Sequence, residues 1–326
     1  MSILQSSGME RNAQKGKAEE TLQASFLRSQ LILFQSRKKW GIMYSLATVT
    51  GILCLPGVLD AMSHQTAVFS AIQTLVLPII TLLISTGMYI LNDLIDSDLD
   101  RANGKKRPIP SGIVSKRQAW AFVIILNGTA AGLSLITFNP VSIAIVAVML
   151  TIGILYSARR VALENRFVIK TLSIALFYML CALLGMTSGF GMNIVMANPL
   201  AALRTVALLG TMIFISSTLN DLGDVEGDRA AARRTIPIVI GEANTVKMAI
   251  VLSAGIAVMP WIFFALSYSG IMMPISASLF GLFVATRLVK IKNGLGNMEF
   301  MRSQHKKLFP MHLVLQSIIS SGTIMI

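Results

Sequence analysis

Nine apolar stretches, each of membrane-spanning length, take up most of this 326-residue chain. They run over about 40–59, 68–91, 118–138, 140–157, 168–189, 199–219, 247–267, 271–289 and 308–326. A helix crosses a bilayer with roughly 20 apolar residues. In lipid every backbone polar group must be satisfied within the protein, so runs of this length and pattern read as helices. The fold class is therefore an all-α integral membrane protein of nine transmembrane helices. Composition agrees: 13% of residues are charged and 54% hydrophobic, against about 25% charged in a soluble domain. A water-exposed globule and a disordered chain are both excluded.

The basic residues supply a topology. Lys and Arg number 28 against 15 Asp and Glu, a formal net charge of +13. All but Arg204 fall before the first span or in the second, fourth, sixth and eighth connections. Such alternation fits an odd number of spans with the N-terminus in the cytoplasm. The chain is expected to be a multi-pass cell-membrane protein with its even-numbered connections cytoplasmic and membrane lipids as surroundings. Nucleic acid is not an expected partner, because the basic residues do not form one face interleaved with aromatics. Residues 1–25 read as a polar cytoplasmic tail and 26–326 as the membrane domain. Within 20–39, Leu22, Phe26, Leu31, Leu33 and Phe34 give an interfacial segment its apolar side, closed by Arg37, Lys38, Lys39 and Trp40. Cys54 and Cys181 lie inside apolar runs as packing residues, and His64, His305 and His312 have no ligand spacing.

Acid is scarce, yet eight of the 15 carboxylates fall in two short windows. The first is Asn92-Asp93-Leu94-Ile95-Asp96-Ser97-Asp98-Leu99-Asp100-Arg101, and the second is Asn220-Asp221-Leu222-Gly223-Asp224-Val225-Glu226-Gly227-Asp228-Arg229. The acids occupy the same four places in each, after the second and the sixth spans, and both windows lead to an Ile-Pro segment (Arg107-Pro108-Ile109-Pro110; Thr235-Ile236-Pro237). The pattern is that of an internally duplicated unit. The two motif loops run over 92–117 and 220–246.

If each window continues its span as a helix, Asn92, Asp96 and Asp100 share one face, as do Asn220, Asp224 and Asp228. Like charges at that spacing repel unless they share a cation. Mg²⁺ is the natural partner, since it takes one or two carboxylates and binds substrate phosphates. Two facing acidic clusters imply a ligand such as diphosphate, bridged by metal. Arg101, Lys105, Arg107, Arg229 and Arg233 beside them can bind phosphate oxygens. The same residues also answer the topology rule. A single charge run is usually a solvated face, but two identically spaced runs in so acid-poor a chain point to a site.

On these residues the sequence resembles the UbiA family of intramembrane prenyltransferases. That family carries Asn-x-x-x-Asp-x-x-x-Asp and Asp-x-x-x-Asp motifs after its second and sixth helices, here Asn92/Asp96/Asp100 and Asp224/Asp228. The resemblance implies nine helices around a central cavity open sideways to lipid, capped by the two motif loops. It implies metal ligation by Asp96, Asp100, Asp224 and Asp228, with Asn92, Asp93, Asn220 and Asp221 at the substrate. It places Tyr156 and Arg160 at a family Tyr-x-x-x-basic position, where Lys is more usual than Arg; Tyr156 equally suits an aromatic belt. Lys170, which opens the fifth span, matches no family position but stands where it can reach diphosphate. The segments 107–112 and 221–241 look most like the archaeal digeranylgeranylglyceryl phosphate synthase branch, although Asn103-Gly104-Lys105-Lys106 departs from the usual step after the first motif.

The expected activity is Mg²⁺-dependent transfer of a prenyl group, geranylgeranyl in that branch, from its diphosphate to a lipid acceptor such as geranylgeranylglyceryl phosphate. Metal and basic residues stabilise the leaving diphosphate, and the ring of Tyr156 faces the allylic cation. An aromatic acceptor of the 4-hydroxybenzoate or homogentisate type is the alternative. A membrane transporter is the non-enzyme alternative, disfavoured because the acids lie at one border rather than at mid-membrane.

Overall fold

A computed structural model describes residues 2–55, 68–102, 106–158, 160–188, 198–267 and 270–324, except the side chains of 2–22, 68–70, 73, 99, 102, 267, 323 and 324. Nine long helices stand in chain order among the described residues. They are α1 (Ser2–Leu53), α2 (Val68–Ile95), α4 (Lys116–Ile136), α5 (Pro140–Ser157), α6 (Ile169–Met186), α7 (Pro199–Leu222), α10 (Glu242–Ser267), α11 (Met272–Ile291) and α12 (Met298–Ile324). Three short helices interrupt the connections: α3 (Ser97–Ala102), α8 (Val225–Ala230) and α9 (Ile236–Ile240).

Seven of the long helices are long and apolar enough to cross a membrane. Residues 40–53 of the first predicted span and 308–324 of the last lie in the C-terminal parts of α1 and α12, both of which begin with a polar stretch. Within the described residues, the expected tail, the interfacial segment and the first span up to Leu53 form one unbroken helix. The interfacial residues divide: Leu33 is buried, Leu31 exposed, and Phe26 and Phe34 half-buried, while the Leu22 side chain lies outside the described residues. Leu33 is drawn in because this part of α1 packs on α2 and α4, beside Ile90, Leu94 and Phe122.

Local chemistry sets several helix ends. Ser115 and Gln118 form a reciprocal capping box at the start of α4. Asn139 caps α5 by accepting from the Val141 amide at 2.9 Å, with Pro140 in the first turn. The Asn139-Pro140 pair, between the third and fourth predicted spans, is therefore a helix start.

Around the bundle, α1 packs on α2, α6 and α12, while α7 packs on α6, α10 and α12. The α1–α6 contact is close. A Cβ on Gly51 would collide with the backbone of Ala182, and one on Gly185 with the backbone of Thr48. Gly128 and Gly132 on α4, by contrast, have open space above them. Tyr44, Phe177 and Tyr178 meet edge-on at the α1–α6 seam. Gln316 of α12 joins them, donating to Tyr178 Oη at 2.6 Å and to the Met43 carbonyl at 3.1 Å. Large apolar side chains such as Ile124, Leu135, Val251 and Leu279 remain on the outside, as a lipid-facing surface requires.

Candidate active site

Both acidic windows open into one cavity of about 190 Å³ at one end of the bundle. Asn92, Asp96, Asn220, Asp221, Asp224 and Asp228 line it. Met88, Tyr89, Tyr156, Ile174 and Ile213 form its apolar part, and Ser216 and Ser217 add hydroxyls. The buried isoleucines of the Ile-Pro segments, Ile109 and Ile236, pin down the loop that follows each window.

The two windows are built alike but used differently. In the second, α7 ends at Leu222 and Asp224 opens α8, with the Asp228 amide donating to the Asp224 carbonyl at 2.8 Å. Asn220, Asp224 and Asp228 all reach the cavity, as their shared face predicts. In the first, the helix breaks at Asp96 between α2 and α3, although helical spacing persists through Asp96 N to Asn92 O and Asp100 N to Asp96 O. Asn92 and Asp96 line the cavity, but Asp100 does not. Asp100 is 1% exposed and accepts from Arg107 Nη1 at 2.5 Å. Asp93 is buried beside it and accepts from the same Arg107 nitrogen at 2.7 Å. The expected three-residue face is divided because Arg107, brought back by the Pro108–Pro110 turn, draws Asp100 out of line.

Counterions come from distant helices. Arg37 of α1 binds both oxygens of Asp93 through Nε and Nη2. Lys170 of α6 donates to Asp221 Oδ1 at 2.6 Å and lies 4.0 Å from Asp228. Asp93 and Asp221 hold equivalent places in the two windows, and each is neutralised from the long helix packed beside its own. Arg233 donates to Asp96 Oδ2 at 2.8 Å. Arg302 of α12 donates to Asp224 Oδ1 at 3.0 Å and to the Gly223 carbonyl at 2.9 Å.

The remaining sequence candidates are dispersed. Tyr156 and Arg107 line the cavity. Arg101 is exposed and turns its Nε to the Pro110 carbonyl, and Arg160 and Arg229 are exposed away from the lining. Lys105 lies outside the described residues.

The cavity also holds residues that motif spacing did not indicate: Arg37, Trp40, Glu164 and His305. Glu164, on the 3₁₀ turn Leu163–Asn165, accepts from Asn92 Nδ2 at 2.6 Å and is 4% exposed. One signal could have found it, as an acid within an otherwise basic connection of an acid-poor chain. Burial, reinforced by the charge of Asp96, pushes its carboxyl up to about 7 against the pull of Arg233, Lys170 and the Asn92 hydrogen bond. Burial opposes the charge of Arg233, but Asp96, Glu164 and Asp228 more than offset it, so this guanidinium holds its proton above the ordinary arginine value. His305 stacks on Trp40, their ring centroids 5.6 Å apart. Burial lowers its pKa to about 4 against the attraction of Asp224, with Lys39 adding to the lowering.

Among the described residues no three His, Cys, Asp or Glu side chains converge on one metal position. The cavity instead spreads single carboxylates around its rim, with the amides of Asn92 and Asn220, and Asp221 Oδ2 is buried with no hydrogen-bond partner. All are hard oxygen donors. The set fits a cation such as Mg²⁺, which takes few protein ligands and completes its shell with water and phosphate.

A helical membrane bundle with paired acidic windows and basic side chains around one terminal cavity defines a multi-pass membrane protein with a charged cavity at one end. The chain belongs to the UbiA prenyltransferase family, whose pattern matches residues 50–305. It is 30% identical over 182 residues to a digeranylgeranylglyceryl phosphate synthase of Methanopyrus kandleri, covering 56% of this chain and 63% of that one. A protein of the same name from Halobacterium salinarum is 32% identical over 181 residues, covering 54% and 60%. The matched part thus spans under two thirds of those relatives' own length.

Solved structures show the same fold. A UbiA homolog from Aeropyrum pernix superposes with a TM-score of 0.67 at 18% identity, over 89% of this chain and 98% of that one. One from Archaeoglobus fulgidus, bound to GPP and Mg²⁺, gives 0.59 at 16% identity, over 89% and 99%.

Proposed function

We propose that the protein transfers a prenyl group, of the geranylgeranyl class, from its diphosphate to the hydroxyl of a lipid acceptor such as geranylgeranylglyceryl phosphate. The observation that carries this reading is the meeting of two acidic windows in one partly apolar cavity, with Arg233 bridging them and Lys170 paired to the second. The Methanopyrus and Halobacterium relatives support the acceptor class by their names, and the Archaeoglobus homolog supports prenyl diphosphate with Mg²⁺ by its bound ligands. The alternation of basic connections supports a cytoplasmic placement of the motif end and the N-terminus.

Asp96, Asp224 and Asp228, with the amide oxygens of Asn92 and Asn220, are the residues that would hold Mg²⁺. When bound, Mg²⁺ acts as a Lewis acid on the diphosphate oxygens. Lys170, Arg233 and Arg107 bind the negative charge that grows as the allylic C–O bond breaks. Met88, Ile174 and Ile213 keep water from the carbocation, and Tyr156 turns its ring toward it. The acceptor oxygen then bonds to the allylic carbon and gives its proton to the departed diphosphate. A cavity of about 190 Å³ houses the diphosphate end, so the prenyl tail lies beyond it, toward lipid.

The test is to incubate purified protein with Mg²⁺, geranylgeranyl diphosphate and a panel of acceptors, with product mass analysis. The panel sets geranylgeranylglyceryl phosphate against 4-hydroxybenzoate. Full, metal-independent activity in Asp96→Asn and Asp228→Asn would overturn the mechanism. Product with 4-hydroxybenzoate alone would overturn the acceptor class.

A further inference from the structure

Glu164 belongs to neither acidic window, yet it stands inside the cavity between residues of both. Its Oε2 accepts from Asn92 at 2.6 Å, and its Oε1 lies 3.7 Å from Arg233 Nη2. That same Nη2 is 2.8 Å from Asp96 Oδ2, and Arg233 Nη1 lies 3.9 Å from Asp228 Oδ1. One guanidinium therefore meets carboxylates from three separate connections.

The backbone is shaped to keep it there. Ala232 adopts a φ of 53°, a left-handed conformation costly for a residue with a Cβ. Arg233 then donates its amide to the Asp228 carbonyl at 2.9 Å, and Arg234 donates to the Asn165 carbonyl at 3.2 Å. The second contact docks the second motif loop onto the turn bearing Glu164. That turn starts at Ala162, whose φ is 41°. Two left-handed alanines flank a single ionic junction, and such strain persists only where the surroundings over-determine it.

Asp96 is a residue assigned above to the divalent cation. A metal and a guanidinium compete for one carboxylate, and a desolvated Arg deprived of Asp96 needs another anion nearby. Glu164, 3.7 Å from the same Nη2, is that anion. Resting on the prenyl diphosphate reading, we propose that Arg233 is a built-in substitute for the divalent cation, and that Glu164 is the positioning residue that retains it. Metal binding transfers the guanidinium from Asp96 to Glu164, and its released N–H groups turn onto the diphosphate. No covalent bond changes in this exchange.

The exchange is tested without turnover, on the full chain in detergent at pH 8. Mn²⁺ binding is followed by its paramagnetic resonance signal, and binding of inorganic pyrophosphate with Mg²⁺ by calorimetry. In Arg233→Gln the two constants move in opposite directions: Mn²⁺ binds about tenfold tighter and pyrophosphate about tenfold weaker, the size of one charge-assisted contact. In Glu164→Gln, which keeps an acceptor for Asn92, both ligands bind more weakly, and Glu164→Asp restores part of each loss. Glu164→Gln carries the test alone if Arg233→Gln does not fold.

A wild-type chain that binds no pyrophosphate with Mg²⁺ sinks the diphosphate reading and the exchange with it. A wild type that binds, with Arg233→Gln moving both constants the same way or neither, overturns the exchange alone. Glu164→Gln binding both ligands as the wild type does has the same consequence.

Discussion

Lys170 Nζ lies 2.6 Å from Asp221 Oδ1, joining the start of α6 to the end of α7 inside the bundle. Asp221 is 1% exposed at its side chain and Lys170 10%. Arg37 and Asp93 repeat the relationship between α1 and α2. In each case the Asp follows the Asn that faces the cavity. The ion pair therefore sets the rotation of the helix end and aims the Asn, and the Asp four positions after that Asn, at the cavity.

Lys170→Met leaves Asp221 buried without its cation. The expected loss is about 3–5 kcal/mol, the usual cost of breaking a buried pair from one side. A double variant, Lys170→Met with Asp221→Leu, should recover most of it, because a matched apolar pair removes both desolvation costs. Thermal unfolding in one detergent compares the three proteins. A double variant as unstable as the single one would show that the pair is not the cause.

Asp93 and Asp96 stand three residues apart but face different partners, so their amide variants should fail differently. Asp93→Asn weakens the hold on Arg37 and Arg107 and should lower the unfolding temperature while leaving the Mg²⁺ requirement intact. Asp96→Asn should fold as well as the wild type and lose on the order of 10²-fold in metal-dependent prenyl transfer, the scale of removing one charge-stabilising group. Unfolding scans and Mg²⁺ titrations of activity separate the two. Identical profiles would contradict the division of the first window.

Ala232 and Ala162 occupy the left-handed region. Ala232→Gly exchanges a steric penalty of about 1–2 kcal/mol for about 0.5–1 kcal/mol of extra chain entropy. The net expectation is a gain of about 0.5–1 kcal/mol. An unfolding midpoint at or below that of the wild type would show that the strain is absorbed elsewhere.

Glu164 carries a pH signature. Its folded pKa, about 7, lies above its ordinary value of 4.5, so the folded chain binds this proton more tightly than the unfolded chain. The contribution to stability is full below 4.5 and is lost as pH rises through 7. Glu164→Gln, which cannot titrate, should flatten the unfolding midpoint between pH 4.5 and 7 relative to the wild type. Parallel profiles would place the titration on another group.

Much of this architecture can be read along the chain. Apolar length and alternating basic connections predict nine helices, because lipid imposes a period and a thickness that sequence must obey. The matched windows are equally legible, since their spacing of four residues follows the helical turn. Arg37, Glu164 and His305 were not legible as site residues: each sits in an ordinary context, and long-range packing alone brings it to the cavity. Arg101, Arg160 and Arg229 lie near the motifs in sequence but face away from the lining, because adjacency along a chain does not determine which side of a turn a long side chain takes.

A membrane bundle with a duplicated acidic unit at one end follows from the order of residues, because hydrophobicity and local spacing are properties of neighbours along the chain. Tertiary packing turns Asp96 to the cavity and ties Asp93 and Asp100 behind it. It alone joined Glu164 to Arg233. Those outcomes depend on counterions supplied from other helices, and electrostatic partners in a low-dielectric interior are chosen by distance in space rather than by separation along the chain.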